Sequence, residues 1–481
     1  MKVAIVHYHL EPGGVTRVIE NTVQSWEDSD NQPADWVIIS GRPYLGEVLN
    51  KVKVIEGLDY ASSQEAVDPK LLCQRLEDAA IQALGALPDI WHVHNHSLGK
   101  NPSLTLAVAE LARKGAQMLL QPHDFAEDGR AENFLNLGRS YKYAYPNGDQ
   151  IHYATLNQRD QSFLNSAFKD YPSVIHLLPN SVPYASSKNK LADLRSSHHN
   201  LPDDLFLYPV RAVRRKNLGE LALLSASHHE KHFANSLGPT NPSFQKTYQK
   251  WGIFGKSLNL SLTYGLGERT NATFPELVEH ASSIINVSIA EGFGLGFLEP
   301  WMFGKSLCGR NIPEITSDFT KAGVNLDNLY SKLWIDLGLI DQDFLRDQIA
   351  KALSSNYGRY QVDMPEDCLN RAYSSMCSGN RIDFGRIQED IQMDIIRKVH
   401  KSQYLQSTIK EQSNLEVVKP KVISKNRDSI SQNFSQNSYG HRVLKIYSDV
   451  IKSPKTKCDF APGARLLDKF LSPERLNLLR S

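Results

Sequence analysis

From residue 1 to about 180, short aliphatic and β-branched runs alternate with stretches whose apolar positions recur at helical spacing. The runs at 3–8, 36–40, 52–55, 90–94, 118–121, 151–155 and 174–178 predict strands, and the stretches 14–26 and 69–84 predict helices. Such alternation predicts a parallel sheet covered by helices, a doubly wound α/β unit that takes its ligands at the carboxyl ends of its strands.

After Leu178-Pro179-Asn180-Ser181-Val182-Pro183 comes a polar, helix-poor stretch that reads as a hinge. A second alternating unit follows, with strands expected at 205–210, 258–264 and 283–288 and helices at 218–227, 273–281 and 298–303. Residues from about 405 to 438 are rich in Ser, Asn, Gln and Lys, which predicts a mobile surface segment. Order is expected to resume at Tyr439, where Val443, Leu444, Ile446, Tyr447 and Ile451 fall at helical spacing, and residues 464–479 form a last amphipathic stretch. The expected organisation is a first domain over 1–183, a linker over 184–204, a second domain over 205–400, a mobile polar segment over 401–438, and a helix with tail over 439–481. No internal repeat of fixed period is visible.

Composition narrows the chemistry. With 481 residues, 41% hydrophobic and 22% charged, the chain can bury more than one core and is neither collagen-like nor globally disordered. Lys plus Arg is 54 and Asp plus Glu is 53, so the net charge of +1 supplies no overall field for a nucleic-acid backbone or an anionic membrane. An anionic ligand must be held by a local site. The five cysteines are scattered without a C-x-x-C pair, which argues against a disulfide framework or structural zinc and favours a reducing compartment. The N-terminus enters an apolar strand run without a signal-peptide pattern, and no run approaches the roughly 18 apolar residues of a membrane span, so a cytoplasmic location without a stable transmembrane anchor is expected.

Two segments carry most of the chemistry. The first, residues 288–300, ends a strand, crosses the glycine-rich turn Glu291-Gly292-Phe293-Gly294-Leu295-Gly296 and opens a helix at Glu299. Glycines let a ligand approach the backbone, and amides at a helix start can face a phosphate or a sugar hydroxyl. Glu291 and Glu299, with seven residues between them, flank the turn and can accept hydrogen bonds from two parts of one ligand. The same residues also read as an ordinary turn with a solvated Glu and a dipole-favoured Glu. A dinucleotide fingerprint is missing, because Phe297 stands where its last glycine belongs. The second segment, Arg211-Ala212-Val213-Arg214-Arg215-Lys216, follows the second unit's first strand. There Arg211 and Lys216 can converge on one diphosphate at the sheet's carboxyl edge, unless the cations are merely solvated.

Together these segments resemble the retaining GT-B glycosyltransferases of family 4, with Glu291 to Glu299 as the E-x7-E motif and Arg211 to Lys216 as the Arg-x4-Lys motif. The loop Glu11-Pro12-Gly13-Gly14-Val15-Thr16-Arg17 looks like the family's glycine-rich loop, residues 178–182 look like its interdomain I-P-N-G-V with Ser181 for the usual Gly, and residues 305–316 occupy the place of its G-x-P-V-V…G-x-x-E segment with Arg310 and Asn311 where small residues are common. The resemblance implies two Rossmann-like domains facing across a cleft, with the helix near 439–451 as a crossover to the first domain. It implies a retaining transfer of a hexose from a nucleotide diphosphate sugar to a hydroxyl acceptor, with no cofactor, no obligatory metal and no nucleic-acid partner. Arg211 and Lys216 would neutralise the leaving diphosphate, Glu299 would hold the ribose, and Glu291 would contact the donor sugar. Gly14, Phe293, Gly294 and Leu295 would complete the donor contacts.

The first domain places histidines at its expected strand ends: His7 and His9, then His92, His94 and His96, then His123-Asp124. His123 is the expected catalytic contact, since the family carries a histidine against the transferred sugar at the matching strand end, while His9 and Asp124 are expected to touch the acceptor or sugar. His92, His94 and His96 alternate in a metal-like way, yet no acidic or cysteine ligand accompanies them, so packing or hydrogen bonding is expected instead. The competing readings are a nucleotide-sugar epimerase or phosphorylase of the same fold, an inactive nucleotide-sugar-binding protein and, more distantly, a nicotinamide dehydrogenase.

Overall fold

Seven parallel strands form the sheet of the first unit: β1 (Lys2–Val6), β2 (Asp35–Ser40), β3 (Val52–Val54), β4 (Ile90–His94), β5 (Met118–Gln121), β6 (Ile151–Thr155) and β7 (Ile175–Leu177), in the order β3-β2-β1-β4-β5-β6-β7. A computed structural model describes residues 1–27, 33–183, 201–270 and 272–480, which divide into two compact units. The first holds Met1–Ser181, Asn356–Asp363 and Phe434–Ser472, and the second holds Val182–Ser355, Met364–Asn433 and Pro473–Ser481. Residues 184–200 of the expected hinge lie outside the described residues.

The β1 sequence shows why the sheet needs helices on both sides. Val3 and Ile5 point to one face and Ala4 and Val6 to the other, and all four are fully buried. Helix α1 (Gly14–Glu27) and a helix near the C-terminus cover the first face through Val18, Ile19, Val23, Tyr439, Val443 and Tyr447. Helices α2 (Pro69–Leu84) and α3 (Pro102–Arg113) cover the other through Leu72, Leu76, Leu104 and Val108. Each of these two starts on the expected chemistry, an Asp68 or Asn101 side chain accepting from the first amides with proline next in line.

The second unit repeats the plan on five parallel strands: β8 (Leu205–Arg211), β9 (His232–Leu237), β10 (Leu262–Thr263), β11 (Ser283–Asn286) and β12 (Leu307–Gly309), in the order β10-β9-β8-β11-β12. Both β9 and β12 escaped the sequence pattern. The first carries a polar pair, Asn235-Ser236, in its buried interior, and Asn235 satisfies itself on the Leu237 carbonyl at 2.7 Å. The second is only three residues long and ends on Gly309, whose φ of 106° and absent Cβ let the Asn286 carbonyl approach. Helix α4 (Leu218–Ser227) follows the cationic turn after β8. Next come the single turn α5 (Glu299–Met302) and α6 (Pro313–Lys321).

The C-terminal third corrects one expectation. The segment expected to be mobile over 401–438 is helical: after α7 (Glu389–Lys401) come α8 (Gln403–Ser413) and α9 (Pro420–Asn433), both in the second unit. Its few apolar side chains are placed where they count, with Ile409 and Ile430 each 1% exposed. The amides that made it look disordered bond to the backbone instead; Asn426 accepts from the Asn325 amide at 2.7 Å and donates to the Asn325 carbonyl at 2.8 Å. Helix α10 (Gln436–Lys452) then packs on α1 and the first sheet, and α11 (Ala464–Phe470) closes that unit. The last residues, 473–481, do not belong with this tail but with the second unit.

A buried ionic network holds the loops of the second sheet's carboxyl edge. Arg310, just after β12, donates to Glu220 on α4 at 2.6 to 3.1 Å and to both oxygens of Asp383 at 2.9 Å. Tyr330 and Asn217 add donors to Glu220 at 2.9 and 2.8 Å, so both carboxylates are satisfied in the interior. Asn217 has φ 51° and directly follows Lys216, so the network also fixes the cationic turn. Replacing Arg310 by Met should leave two uncompensated buried carboxylates and cost about 3–5 kcal/mol, read as a lower urea midpoint at unchanged m value; a midpoint within error of wild type would contradict this account.

Candidate functional site

The carboxyl edge of the second sheet gathers the residues singled out by sequence. β11 ends at Asn286, whose side chain accepts from the Ser288 amide at 2.9 Å and starts the descent into the glycine-rich turn. Gly294 has φ 93°, and a Cβ there would stand 3.0 Å from Ile315 and 3.1 Å from Phe297, so the turn requires glycine at this point. Phe293 is buried with its ring at right angles to Phe319, and Leu295 opens a short 3₁₀ turn leading to Glu299.

The cationic turn after β8 meets this loop directly. The Arg215 carbonyl accepts from the Ile289 amide at 3.0 Å, and the Arg215 guanidinium donates to the Ala290 carbonyl and to Glu291 Oε2, both at 2.9 Å. Lys216 Nζ forms an ion pair with Glu291 Oε1, and both side chains are mostly buried, 15% and 12% exposed. Burial pushes the Lys216 ammonium below its ordinary pKa. Burial would raise Glu291, but Lys216 and Arg215 outweigh it and hold the carboxyl below the usual glutamate range. Each group thus faces an opposite charge where burial alone would disfavour its ionised form.

Arg211 and Glu299 stand differently. Arg211 ends β8, is exposed, and makes no hydrogen bond or ion pair with the described residues. Glu299 is half-buried at the start of α5, also without such a partner, and burial raises its pKa. The structure thus joins Lys216 to Glu291 and leaves Arg211 and Glu299 unengaged around the same loops. The sequence suggests that Arg211 and Lys216 converge on one diphosphate; within the chain, the arginine that shares Glu291 with Lys216 is Arg215. The signal was present in the run Arg214-Arg215-Lys216, but spacing alone did not say which arginine turns inward, and Arg214 turns to Glu389 on α7 at 2.7 Å.

The first unit carries a separate set of groups at its own carboxyl edge. His94 Nδ1 and His123 Nε2 are 2.8 Å apart, and the His123 amide donates to the Asn95 side chain at 2.7 Å. His92 shares the β4 face with His94 but bonds Tyr447 on α10 at 2.8 Å and Gln121 at 2.9 Å. His96 leaves that face and meets the Ala144 carbonyl at 2.9 Å. Burial lowers His7 and His123 to a pKa of about 3 and His92 and His96 to about 4, so these rings are neutral. Among the described residues no cluster of three or more His, Cys, Asp or Glu could hold a metal ion. His9 is half-buried with its ring 4.6 Å from Tyr60, and Asp124 pairs with Arg130 at 2.5 Å.

A pocket of about 550 Å³ lies between the glycine-rich loop, α1 and the loop after β2, lined among others by Glu11, Gly13, Arg17, Glu20, Arg42 and Tyr44. Arg42 pairs with Glu11 and Asp59, and Glu20 receives Arg17 at 3.1 Å and the Tyr44 hydroxyl at 2.7 Å. Gly14 is exposed at the start of α1, where a Cβ would meet nothing within 4 Å. This pocket was not foreseen, because Arg42 and Tyr44 come from a loop without a motif.

No protein-family model matches the chain. A curated relative, the mannosylglucosyl-3-phosphoglycerate synthase of Petrotoga mobilis, is 27% identical over 341 residues, a match that spans 66% of this chain and 66% of the relative, just under two thirds of its length. Among solved structures, Anabaena HepE in complex with UDP aligns with a TM-score of 0.53 at 12% identity, over 93% of this chain and 100% of that one. A glycosyltransferase from Rickettsia africae aligns with a TM-score of 0.51 at 17% identity, over 94% and 99%. These likenesses, with the two strand orders, establish the GT-B fold expected from the sequence. No helix among the described residues is long and apolar enough to cross a membrane.

The Lys216–Glu291 pair makes a direct prediction. A carboxyl held below its unfolded pKa contributes stability that is present above the unfolded value and is lost as pH falls through the folded one. Lys216→Met should move the Glu291 carboxyl upward, seen as an infrared carboxylate band that disappears at higher pH than in wild type; a band titrating at the same pH in both proteins would show that Lys216 does not set the charge of Glu291.

Proposed function

We propose that this chain is a retaining glycosyltransferase that moves a hexose from a nucleoside diphosphate sugar to a hydroxyl acceptor. The observation that carries this reading is the mostly buried Lys216–Glu291 ion pair at the carboxyl edge of a doubly wound sheet, with Arg215 on the same carboxylate and Arg211 exposed at the end of β8. A strand edge of this kind is where such sheets take phosphorylated ligands, and cations fixed there before the ligand arrives need no reorganisation when charge develops.

In the reaction, the bond from the anomeric carbon to the distal phosphate oxygen breaks, and its electron pair leaves with the diphosphate. Negative charge grows on that oxygen as the sugar becomes oxocarbenium-like, so Lys216 and Arg211 stabilise the transition state more than the bound donor. The acceptor oxygen forms the new bond on the same face, and its proton passes to the departing phosphate. Glu299, half-buried and with no side-chain partner among the described residues, receives the ribose hydroxyls. Glu291 keeps Lys216 in place and offers its remaining acceptor capacity to the sugar. His123 contacts the transferred sugar, and His9 and Asp124 lie toward the acceptor.

The first unit's pocket suits a polyhydroxy acceptor bearing an acid group, because Arg17 and Arg42 can donate to that group as well as to Glu20 and Glu11, while Glu11 and Glu20 accept from its hydroxyls. The relative named for a mannosylglucosyl-3-phosphoglycerate supports an acceptor of this class. Five cysteines, none of them in a disulfide, support a cytoplasmic location.

Lys216→Ala and Glu299→Ala should each lower turnover of the donor about 10²–10³-fold without changing the far-ultraviolet circular dichroism, and the product's anomeric configuration by NMR should match that of the donor. Full turnover in either variant would remove the reading, and an inverted product would remove its retaining character. Epimerised sugar formed without acceptor, or a requirement for inorganic phosphate, would favour the competing enzymes.

A further inference from the structure

Four histidine rings crowd the carboxyl edge of the first sheet, and one contact among them constrains a proton. His94 Nδ1 lies 2.8 Å from His123 Nε2, with ring centroids 5.1 Å apart and ring planes 18° from parallel. That centroid separation equals the nitrogen–nitrogen distance plus about two ring radii, which is the largest value the geometry permits. The rings therefore meet edge to edge, with the contact along both nitrogen lone-pair directions, as a true N–H···N hydrogen bond requires.

Each neutral imidazole carries a single N–H, so only two arrangements are available. If His123 Nε2–H donates to His94, then His94 must carry its own proton on Nε2. That atom is buried and has no partner among the described residues, so a donor would be orphaned in the interior. If His94 Nδ1–H donates to His123, the orphaned atom is a bare acceptor nitrogen. Buried unpaired N–H groups are the rarer and costlier defect. In this second arrangement His123 must carry its proton on Nδ1. That nitrogen has no hydrogen-bond partner among the described residues and is not sealed in, and the residue keeps 9% of its surface exposed. The backbone beneath is held as well, since Asn95 accepts from the amides of both His123 and Asp124 at 2.7 and 3.2 Å.

We propose that His94 is a positioning residue that fixes His123 in the Nδ1–H tautomer, so that His123 presents a hydrogen-bond donor, and not a base, to an oxygen of the bound sugar. The ligand part of this inference rests on the glycosyltransferase reading; the tautomer part does not. A donor anchors a sugar hydroxyl oxygen without drawing a proton from it.

The test uses the full chain labelled with ¹⁵N-histidine. Long-range ¹H–¹⁵N correlation distinguishes a protonated from a bare ring nitrogen, and the His123 signals are identified by their loss in His123→Asn. The expected result is a protonated Nδ1 and a bare Nε2 in wild type, kept in His94→Asn, whose side-chain amide can still donate toward Nε2, and lost in His94→Phe. Turnover should fall at least tenfold in His94→Phe with nucleoside diphosphate affinity unchanged, and His94→Asn should recover to within about threefold of wild type. A protonated Nε2 on wild-type His123 overturns the proposal, as does a His94→Asn protein no more active than His94→Phe. Absence of transfer by the wild type with every nucleotide sugar would defeat the transferase reading and the sugar-contact part of the proposal, while the spectrum would still decide the tautomer.

Discussion

A buried ammonium beside a buried carboxylate is stable only if both stay charged and both are held, and the second unit is organised around meeting that requirement for Lys216 and Glu291. The two come from loops that follow neighbouring strands, β8 and β11. Their approach depends on the backbone link between Arg215 and Ile289 and on the glycine turn that lets residue 294 take a positive φ. Behind them, the Arg310 network fixes Asn217, the residue that converts the cationic turn into the start of α4. Removing water from charges strengthens their interaction only when partners are already in place. Arg310 thus acts on the site through position, without reaching it.

The first unit meets a different constraint. His7, His92, His96 and His123 lie so deep that burial keeps them neutral, and neutral rings interact through the placement of single protons. The His94–His123 contact and the bond from Tyr447 to His92 tie the carboxyl edge of the first sheet to a helix from the far end of the chain. The return of α10 to the first unit therefore completes a core and also supplies a partner to one of these rings.

Much of this was legible in the amino-acid order. Strands buried on both faces read as continuous apolar runs, so most strands of the first sheet fall within a residue or two of their expected bounds. What stayed hidden depends on tertiary partners. Strand β9 hides its period behind a buried Asn-Ser pair, and α8 and α9 owe their order to amide side chains that meet backbone groups about a hundred residues away. At the site, spacing put Lys216 and Glu291 on loops that the structure shows to be neighbours, but it did not single out Arg215, the arginine that shares Glu291 with Lys216. It also marked Arg310 only as a departure from small residues, because the two acids it serves lie 90 residues before and 73 after it.

The central claim is that the cations after β8 hold a diphosphate at the carboxyl edge of the second sheet. Phosphorus NMR of UDP, GDP and ADP titrated with the full chain tests it most directly. The account predicts that one of these nucleotides shifts at its terminal phosphorus on binding, and that the shift is lost with Lys216→Ala and reduced with Arg211→Ala. A terminal phosphorus that shifts equally in wild type and both variants, or that no concentration of protein perturbs, would contradict it.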